Sequence, residues 1–338
     1  MNLKDYQQAR LPVIENRLQA DLSALIPAGN QELHLMLAYH MGWVGVTGAA
    51  KASGKRLRPL LVLMVNEACG GNWQSALPAA SAVSLLHNFS LIHDDIEDNS
   101  DLRRGRPTVW RIWGLPLALN AGDLMFSFPY ACLLNLPHSG HTNEITLGAL
   151  AVLQDTIQQL VHGQHLDMRF ETRADVALED YWQMIAGKTA ALIACCCQLG
   201  ALVADEDAAR QAQWAQFGRT LGLAFQVVDD WLGIWGDPAV TGKDTYSDLL
   251  SHKKTIPILY GIAQNQQFTQ HWHKGFTQDD LPQLAHLLEQ EGAQDYTLAQ
   301  ADDLTKQALA LLDDLVQPEN PMHALLTELA TTLTRRSA

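Results

Sequence analysis

Three aspartates, Asp94, Asp95 and Asp98, close a long apolar run, and Arg103, Arg104 and Arg106 follow within a few residues. On a helix each residue turns about 100°, so positions i, i+1 and i+4 fall inside one sector of about 100°. Carboxylates sharing a sector repel one another, and something positive must compensate them. Hard divalent cations prefer oxygen ligands, and Mg²⁺ is commonly divided between a few carboxylates and the phosphates of a substrate. Arginines just downstream suit the remaining phosphate oxygens, because a guanidinium pairs with them in bidentate fashion. Asp279-Asp280, Asp302-Asp303 and Asp313-Asp314 stand in polar surroundings instead and read as solvated surface. Asp94-Asp95 differs because the segment from Ala79 to His93 is almost uncharged.

A second acidic group ends the apolar stretch AFQVVDDWLG. Relative to Gln226, Asp229 lies about 300° round a helix and Asp230 about 40°, so one amide and two carboxylates share a face. Gly233 stands where a third aspartate would complete the pattern, and Asp237 or Asp244 could compensate from the adjoining loop. That loop also holds Lys243, Asp248, Lys253 and Lys254. Upstream, Lys55 and Arg58 are three residues apart beside a glycine turn and ahead of a buried segment, a placement that favours an anion site. Lys188-Thr189 interrupts the apolar run MIAGKTAALIACCC, and a buried lysine without a partner is costly, so Lys188 is expected to face a cleft. Gln164 and Asp167, three apart on an otherwise apolar helix, read as a core hydrogen-bonded pair.

The elements that must position these groups are helical. Hydrophobic spacing predicts helices over 3–26, 30–48, 76–98, 109–136, 144–170, 179–204 and 207–233, with further Leu/Ala-rich helical segments over 255–338. Leu11, Ile14, Leu18, Leu22 and Leu25 form the apolar stripe of the first. Period-2 alternation does not persist anywhere, and no composition break resembles a linker. The expectation is a single all-α domain over residues 1–338.

Composition narrows the function. Hydrophobic residues make up 47 % and charged residues 18 %, enough apolar content for a sizeable core and too little charge for disorder. A net charge of −14 disfavours nucleic acid or an anionic membrane as partner. Against that background Lys51, Lys55, Arg56, Arg58, Arg103, Arg104, Arg106 and Arg111 are concentrated together, which suggests a small anionic ligand. The five cysteines have no metal-ligand spacing, and Cys195, Cys196 and Cys197 read as small core residues in a reducing compartment. No signal-peptide core and no membrane-spanning run is evident, so a soluble, cytoplasmic protein is expected.

Taken together in order, Gly54-Lys55-Arg56-x-Arg58-Pro59, His87, Asp94-Asp95-x-x-Asp98, Arg103-Arg104-Gly105-x-Pro107-Thr108, Gly163-Gln164, Lys188-Thr189, Gln226 and Asp229-Asp230 resemble the trans-isoprenyl diphosphate synthases, the polyprenyl synthetase family. The likeness runs from about residue 51 to 260. It implies a helical bundle of the isoprenoid synthase type around a deep central cavity, with two aspartate-rich motifs facing each other across its mouth. The implied reaction is head-to-tail (1′-4) condensation of an allylic diphosphate (dimethylallyl, geranyl or farnesyl) with isopentenyl diphosphate. By the same resemblance Asp94, Asp98 and Asp229 hold Mg²⁺, as three ions once substrate is bound, with Asp95, Asp230 and Lys253 belonging to the catalytic motifs. Arg103, Lys188 and Lys243 would add positive charge on the leaving diphosphate, and Thr189 and Gln226 would stabilise the allylic cation. Lys55, Arg58, His87 and Arg104 match the binding positions for isopentenyl diphosphate. His87 sits seven residues before Asp94 and hence nearly on its face. Released pyrophosphate is the base in this family, in keeping with the absence of a separate acid/base dyad.

Phe89 and Ser90 stand five and four residues before Asp94, where the family places residues that floor the product cavity. A plain helical wheel puts Ser90, not Phe89, on the aspartates' face. A phenylalanine beside a small residue resembles geranylgeranyl diphosphate synthases, with farnesyl diphosphate synthase the alternative. A class I terpene cyclase has a similar aspartate motif but no need of Lys55, Arg58 and Arg104. A non-catalytic regulatory subunit should lack one motif or its basic partners, and only Gly233 points that way. Lys243 and Lys253 keep the family's ten-residue spacing. A homodimer is the family habit.

Overall fold

The computed structural model describes residues 2–45, 54, 56–237 and 245–334. Lys55, Lys243 and Asp244 lie outside the described residues. Two compact units are formed, the first from Met1–Gln154, Cys195–Ala212 and Asn320–Leu325, the second from Asp155–Ala194, Gln213–Glu319 and Leu326–Ala338.

The first unit begins with α1 (Leu3–Leu25), capped by the Asn2 side chain, which accepts from the Asp5 amide at 2.9 Å. Its buried stripe is Leu3, Tyr6, Ile14, Leu18 and Leu22, with Leu11 and Leu25 only half-buried. Next, α2 (Gln31–His40) ends well short of the expected boundary, because Gly42 turns the chain at φ +83°. In α3 (Leu57–Ala68) every residue from Pro59 to Asn66 is buried, so its polar ends alone remain available for chemistry. The long α4 (Leu77–Glu97) is almost wholly buried from Pro78 to Leu86 and opens toward solvent only over its last turns.

A two-residue hairpin comes after α4. Strands β1 (Leu102–Arg103) and β2 (Arg106–Pro107) pair Leu102 with Pro107 and Arg103 with Arg106. Its central residues Arg104 and Gly105 sit at φ +53° and +70°, the left-handed pair of a type I′ turn. Beyond it the expected helix over 109–136 is divided into α5 (Val109–Trp113) and α6 (Leu115–Leu133), because Gly114 lies at φ +84° and Pro116 starts α6 afresh.

Helix α7 (Asn143–Thr172) begins in the first unit and ends in the second. The predicted helix over 179–204 is α8 (Leu178–Ile185), a π turn at Ala186–Ala190, and α9 (Ala191–Leu202). By length and composition Leu178–Leu202 would suit a membrane span, yet 83 % of its apolar window is buried inside the protein, as in a core helix. At the π turn the backbone comes into close contact with α7. A Cβ on Gly163 would collide with the backbone of Gly187 and Lys188, and one on Gly187 with the Gln159 carbonyl. Only glycine fits on both sides of that crossing.

The second unit also contains α10 (Ala208–Trp235) from Gln213 onward, α11 (Ser247–Leu250), α12 (Ile256–Gln264), α13 (Gln267–Lys274), α14 (Leu281–Gln290), α15 (Ala293–Leu315) and most of α16 (Pro321–Thr334). One of its apolar clusters joins Phe170, Tyr181, Met184, Val227, Leu232, Ile256 and Leu259. A second gathers Ile234, Leu249, Phe268, Trp272 and Leu288. The all-α expectation holds, with the 102–107 hairpin the one addition among the described residues. Cys195, Cys196 and Cys197 are buried, and burial pushes the Cys196 and Cys197 thiols well above the usual range.

Candidate active site

In the first unit the three aspartates at the end of α4 do not point the same way. Asp95 is buried and ion-paired with Arg103 Nε at 2.7 Å, while Asp94 is half-buried and Asp98 exposed. The expected common face is therefore corrected to two outward carboxylates and one inward. Asp95 anchors Arg103, and its Oδ2 is buried without a protein partner. Burial pushes its carboxyl up to about 6 despite Arg103, with Asp98 adding to the rise.

The basic groups are held from several elements. Arg58, near the start of α3, donates from Nη1 to His87 Nε2 at 3.1 Å, which makes His87 Nε2 the acceptor and leaves its proton on Nδ1. Burial, then the Arg58 and Arg104 charges, hold His87 far below the ordinary histidine pKa, so the ring is neutral. The Arg58 Nε is buried with no protein partner, a donor in want of an acceptor. Gly54 lies directly against the Arg104 guanidinium: a Cβ there would approach Nη2 to 2.7 Å. The glycine turn of one motif thus seats the arginine of another. Arg56 and Arg106 serve the scaffold instead. Arg56 pairs with Glu15 at 2.7 Å and donates to the Met41 carbonyl, while Arg106 stacks over Tyr39 at 3.9 Å and donates to the Tyr39 carbonyl.

Phe89 is half-buried on α4, its ring 4.8 Å from both His93 and Phe126 of α6. Ser90 turns back on its own helix, donating to the His87 carbonyl at 2.9 Å. Phe126 was not legible in the sequence, since nothing local marks it apart from the other apolar residues of α6.

In the second unit a chain of hydrogen bonds crosses three elements. The Thr189 hydroxyl donates to Gln226 Oε1 at 2.6 Å, and Gln226 Nε2 donates to Asp230 Oδ1 at 2.8 Å. Tyr181 OH donates to Asp230 Oδ2 at 2.7 Å, and the Ile256 amide reaches the same oxygen at 3.4 Å. Asp230 is thus a buried hub rather than an outward ligand, and burial together with Asp248 and Asp229 pushes its carboxyl up to about 7. Asp229 is half-buried. Lys188, raised on the π turn, is ion-paired with Asp167 of α7. Asp167 therefore belongs with Lys188, which corrects its pairing with Gln164 and gives the buried lysine its partner. A Cβ on Gly233 would fall on the carboxylate of Asp248, whose side chain fills that place.

Do these residues suit a divalent cation? Among the described residues no three His, Cys, Asp or Glu converge as a protein cage. Carboxylates are hard donors, however, and Mg²⁺ is usually held by one or two of them together with substrate phosphates. Asp94 with Asp98 in one unit, and Asp229 in the other, fit that donor set.

A family model described as polyprenyl synthetase matches residues 46–288. The (2E,6E)-farnesyl diphosphate synthase of Mycobacterium tuberculosis is 39 % identical, the match covering 90 % of this chain and 86 % of that protein. The geranylgeranyl diphosphate synthase of the same organism is also 39 % identical, over 88 % of this chain and 86 % of that one. The geranylgeranyl pyrophosphate synthase of Corynebacterium glutamicum, solved in complex with isoprenyl diphosphate and magnesium, superposes with a TM-score of 0.85 at 27 % identity and covers 100 % of both chains.

Proposed function

We propose that this chain, which belongs to the polyprenyl synthetase family and is a prenyltransferase, makes geranylgeranyl diphosphate by adding isopentenyl diphosphate head-to-tail to shorter allylic diphosphates. That it is a short-chain trans-prenyl diphosphate synthase follows from its relatives; the twenty-carbon product is our reading. The observation behind it is the half-buried Phe89 ring, set against Phe126 five residues before Asp94. An aromatic pair there would limit how far a growing chain can extend below the diphosphate. The relatives that make farnesyl diphosphate support the fifteen-carbon product as the second reading.

The roles of the residues follow from their partners. Bound Mg²⁺, held by Asp94, Asp98 and Asp229, would neutralise the leaving diphosphate as a Lewis acid. Arg103 is held by Asp95, and Lys188 by Asp167, so each stands ready to exchange or share a carboxylate with phosphate oxygens. Lys243 and Lys253 are assigned to the same diphosphate. Because Thr189 donates its proton to Gln226, its oxygen has only lone pairs to offer a neighbouring cation. Asp230 fixes Gln226 from behind. On the other substrate, the neutral His87 keeps an Nδ1 proton to donate, and Arg58, Arg104 and Lys55 supply charge for its diphosphate.

The reading extends to assembly and place. Leu115, Leu117, Leu119 and Leu134, on and beside α6, are 43–58 % exposed, and apolar side chains left in solvent support a homodimer. Both compact units are discontinuous in sequence, and four of their five boundaries fall within helices, α7, α9, α10 and α16, which supports one synthase domain. A cytoplasmic location remains our expectation. Purified protein incubated with labelled isopentenyl diphosphate and dimethylallyl, geranyl or farnesyl primers, with products sized by chromatography, tests the function. A twenty-carbon product is expected; a fifteen-carbon end product would overturn the chain length, and no elongation of any primer would overturn the activity.

A further inference from the structure

Helix α1 grips α3 at both ends, and the two grips differ in what they hold. At the C-terminal end of α3, Arg10 donates to Glu67 Oε1 at 3.0 Å, and the Tyr6 hydroxyl donates to Glu67 Oε2. At the N-terminal end the Glu15 carboxylate accepts from two sides. Its Oε2 takes the Trp43 indole N–H at 2.6 Å, and its Oε1 takes Arg56 Nε at 2.7 Å. Arg56, the residue that opens α3, is buried and sits at φ +48°. That left-handed conformation costs energy in any residue with a side chain, and it persists only where surrounding contacts hold it. Ile14 and Leu18, fully buried on either side of Glu15 in sequence, fix the backbone from which the carboxylate extends.

The residues around Arg56 belong to the isopentenyl diphosphate site. Two residues before it, Gly54 lies against the Arg104 guanidinium; two residues after it, Arg58 donates to His87 Nε2. Arg58, His87 and Arg104 therefore take their places from one backbone reversal, which Glu15 locks from α1. We propose that Glu15 is a positioning residue for isopentenyl diphosphate, acting through Arg56 on the three groups that receive that substrate's diphosphate. The inference rests on the prenyl diphosphate synthase reading of the same site. Its physical content is a need for two acceptors. A carboxylate accepts at both oxygens, whereas an amide has one acceptor oxygen and one donor nitrogen, so Glu15→Gln can serve Trp43 or Arg56 but not both. The same change leaves the buried Arg56 guanidinium without its counter-charge. The allylic diphosphate is assigned instead to Arg103, which Asp95 holds, so the two substrates should respond differently.

The test measures initial rates of the full-length protein with isopentenyl diphosphate and the allylic primer the parent accepts best, each varied against the other at saturation. Glu15→Gln should raise KM for isopentenyl diphosphate about tenfold, with kcat within about threefold of the parent and KM for the primer within about twofold. Arg56→Gln should do the same, and the double change should be no worse than the more impaired single variant, as for residues that act in series. Arg10→Gln breaks the other grip, and should lower the thermal unfolding midpoint while leaving both KM values parental. An unchanged KM for isopentenyl diphosphate, equal rises in both KM values, or additive effects of Glu15→Gln and Arg56→Gln would overturn the proposal. So would a rise in Arg10→Gln as large as that in Glu15→Gln, since general loosening would then account for both. If Glu15→Gln fails to fold, Arg56→Gln decides by the same split in KM; failure of both to fold overturns the proposal, because the pair would then hold the fold rather than the site. If the parent elongates a primer and these changes leave KM unmoved, only the role of Glu15 fails; if the parent elongates no primer, the functional reading fails.

Discussion

Thr189 and Gln226 are joined by a 2.6 Å hydrogen bond in which the threonine hydroxyl is the donor, and the amide end of Gln226 is in turn tied to the buried Asp230. Gln226 therefore cannot flip without breaking both bonds, and the direction of the whole chain is fixed by the carboxylate at its end. Tyr181 is the other side-chain donor to that carboxylate. Tyr181→Phe keeps the ring in its apolar cluster but removes this donor, and the cost of leaving a buried carboxylate oxygen short of a partner is about 1–3 kcal/mol. Urea unfolding should register that loss, and kcat should fall several-fold with little change in KM.

Asp94 and Asp95 are neighbours with different surroundings, and their variants should differ accordingly. Asp94→Asn is expected to lower kcat about 10²–10³-fold, and EDTA should abolish turnover in the parent with Mg²⁺ restoring it. Asp95→Asn loses the Arg103 anchor rather than an outward ligand, so a smaller loss accompanied by a raised KM for the allylic diphosphate is expected. Steady-state kinetics over a Mg²⁺ series distinguishes the two.

Phe89→Ala removes one ring of the Phe89–Phe126 pair. The main product should lengthen by at least one isoprene unit, read by chromatography of the dephosphorylated alcohols. An unchanged product distribution would detach Phe89 from chain-length control.

Gly163→Ala tests the crossing of α7 with the π turn. The added methyl meets the backbone of Gly187 and Lys188, which cannot swing aside as a side-chain tip could. A destabilisation of about 1–3 kcal/mol is expected in chemical unfolding, together with loss of activity as Lys188 is displaced.

His40 gives stability a pH dependence. Its Nε2 is buried without a partner, and burial, reinforced by the Arg103, Arg104, Arg56 and Arg106 charges, pushes its pKa down from 6.5 to about 3. Between those values the unfolded chain binds more protons than the folded one, so the contribution of His40 is complete above pH 6.5 and is lost as pH falls toward 3. Allowing for the half-buried position of the residue, roughly 1 kcal/mol of the stability lost between pH 7 and pH 5 is assigned to it. Urea midpoints at the two pH values should move less in His40→Gln than in the parent.

The sequence could nominate chemistry-bearing residues because their types and spacings are local properties. Asp94, Asp98, Arg103, Arg58, Gln226 and Asp229 could be nominated from type and spacing, and His87 and Thr189 from the family resemblance. It could not say which member of an Asp-Asp pair turns inward, since adjacent positions on a helix fall in overlapping sectors and the partner, Arg103 or Tyr181, decides. Asp167, Tyr181, Phe126 and Asp248 act across elements and have no periodic signature. Helix boundaries erred at Gly42 and Gly114, where a left-handed glycine outweighed continuing apolar spacing.

The π turn at Ala186–Ala190 amounts to one residue more than an α-helix would use over the same rise. Lys188 and Thr189 therefore owe their headings to a phase slip between α8 and α9, and not merely to their own identities. Deleting a single residue within that turn would join α8 to α9 as an unbroken α-helix with both faces kept as they are, and would redirect only the residues of the turn itself. Ala191 and Leu192 would keep their places in the core, while Lys188 and Thr189 would lose their present headings. At this point in the chain, residue count is under tighter constraint than residue type.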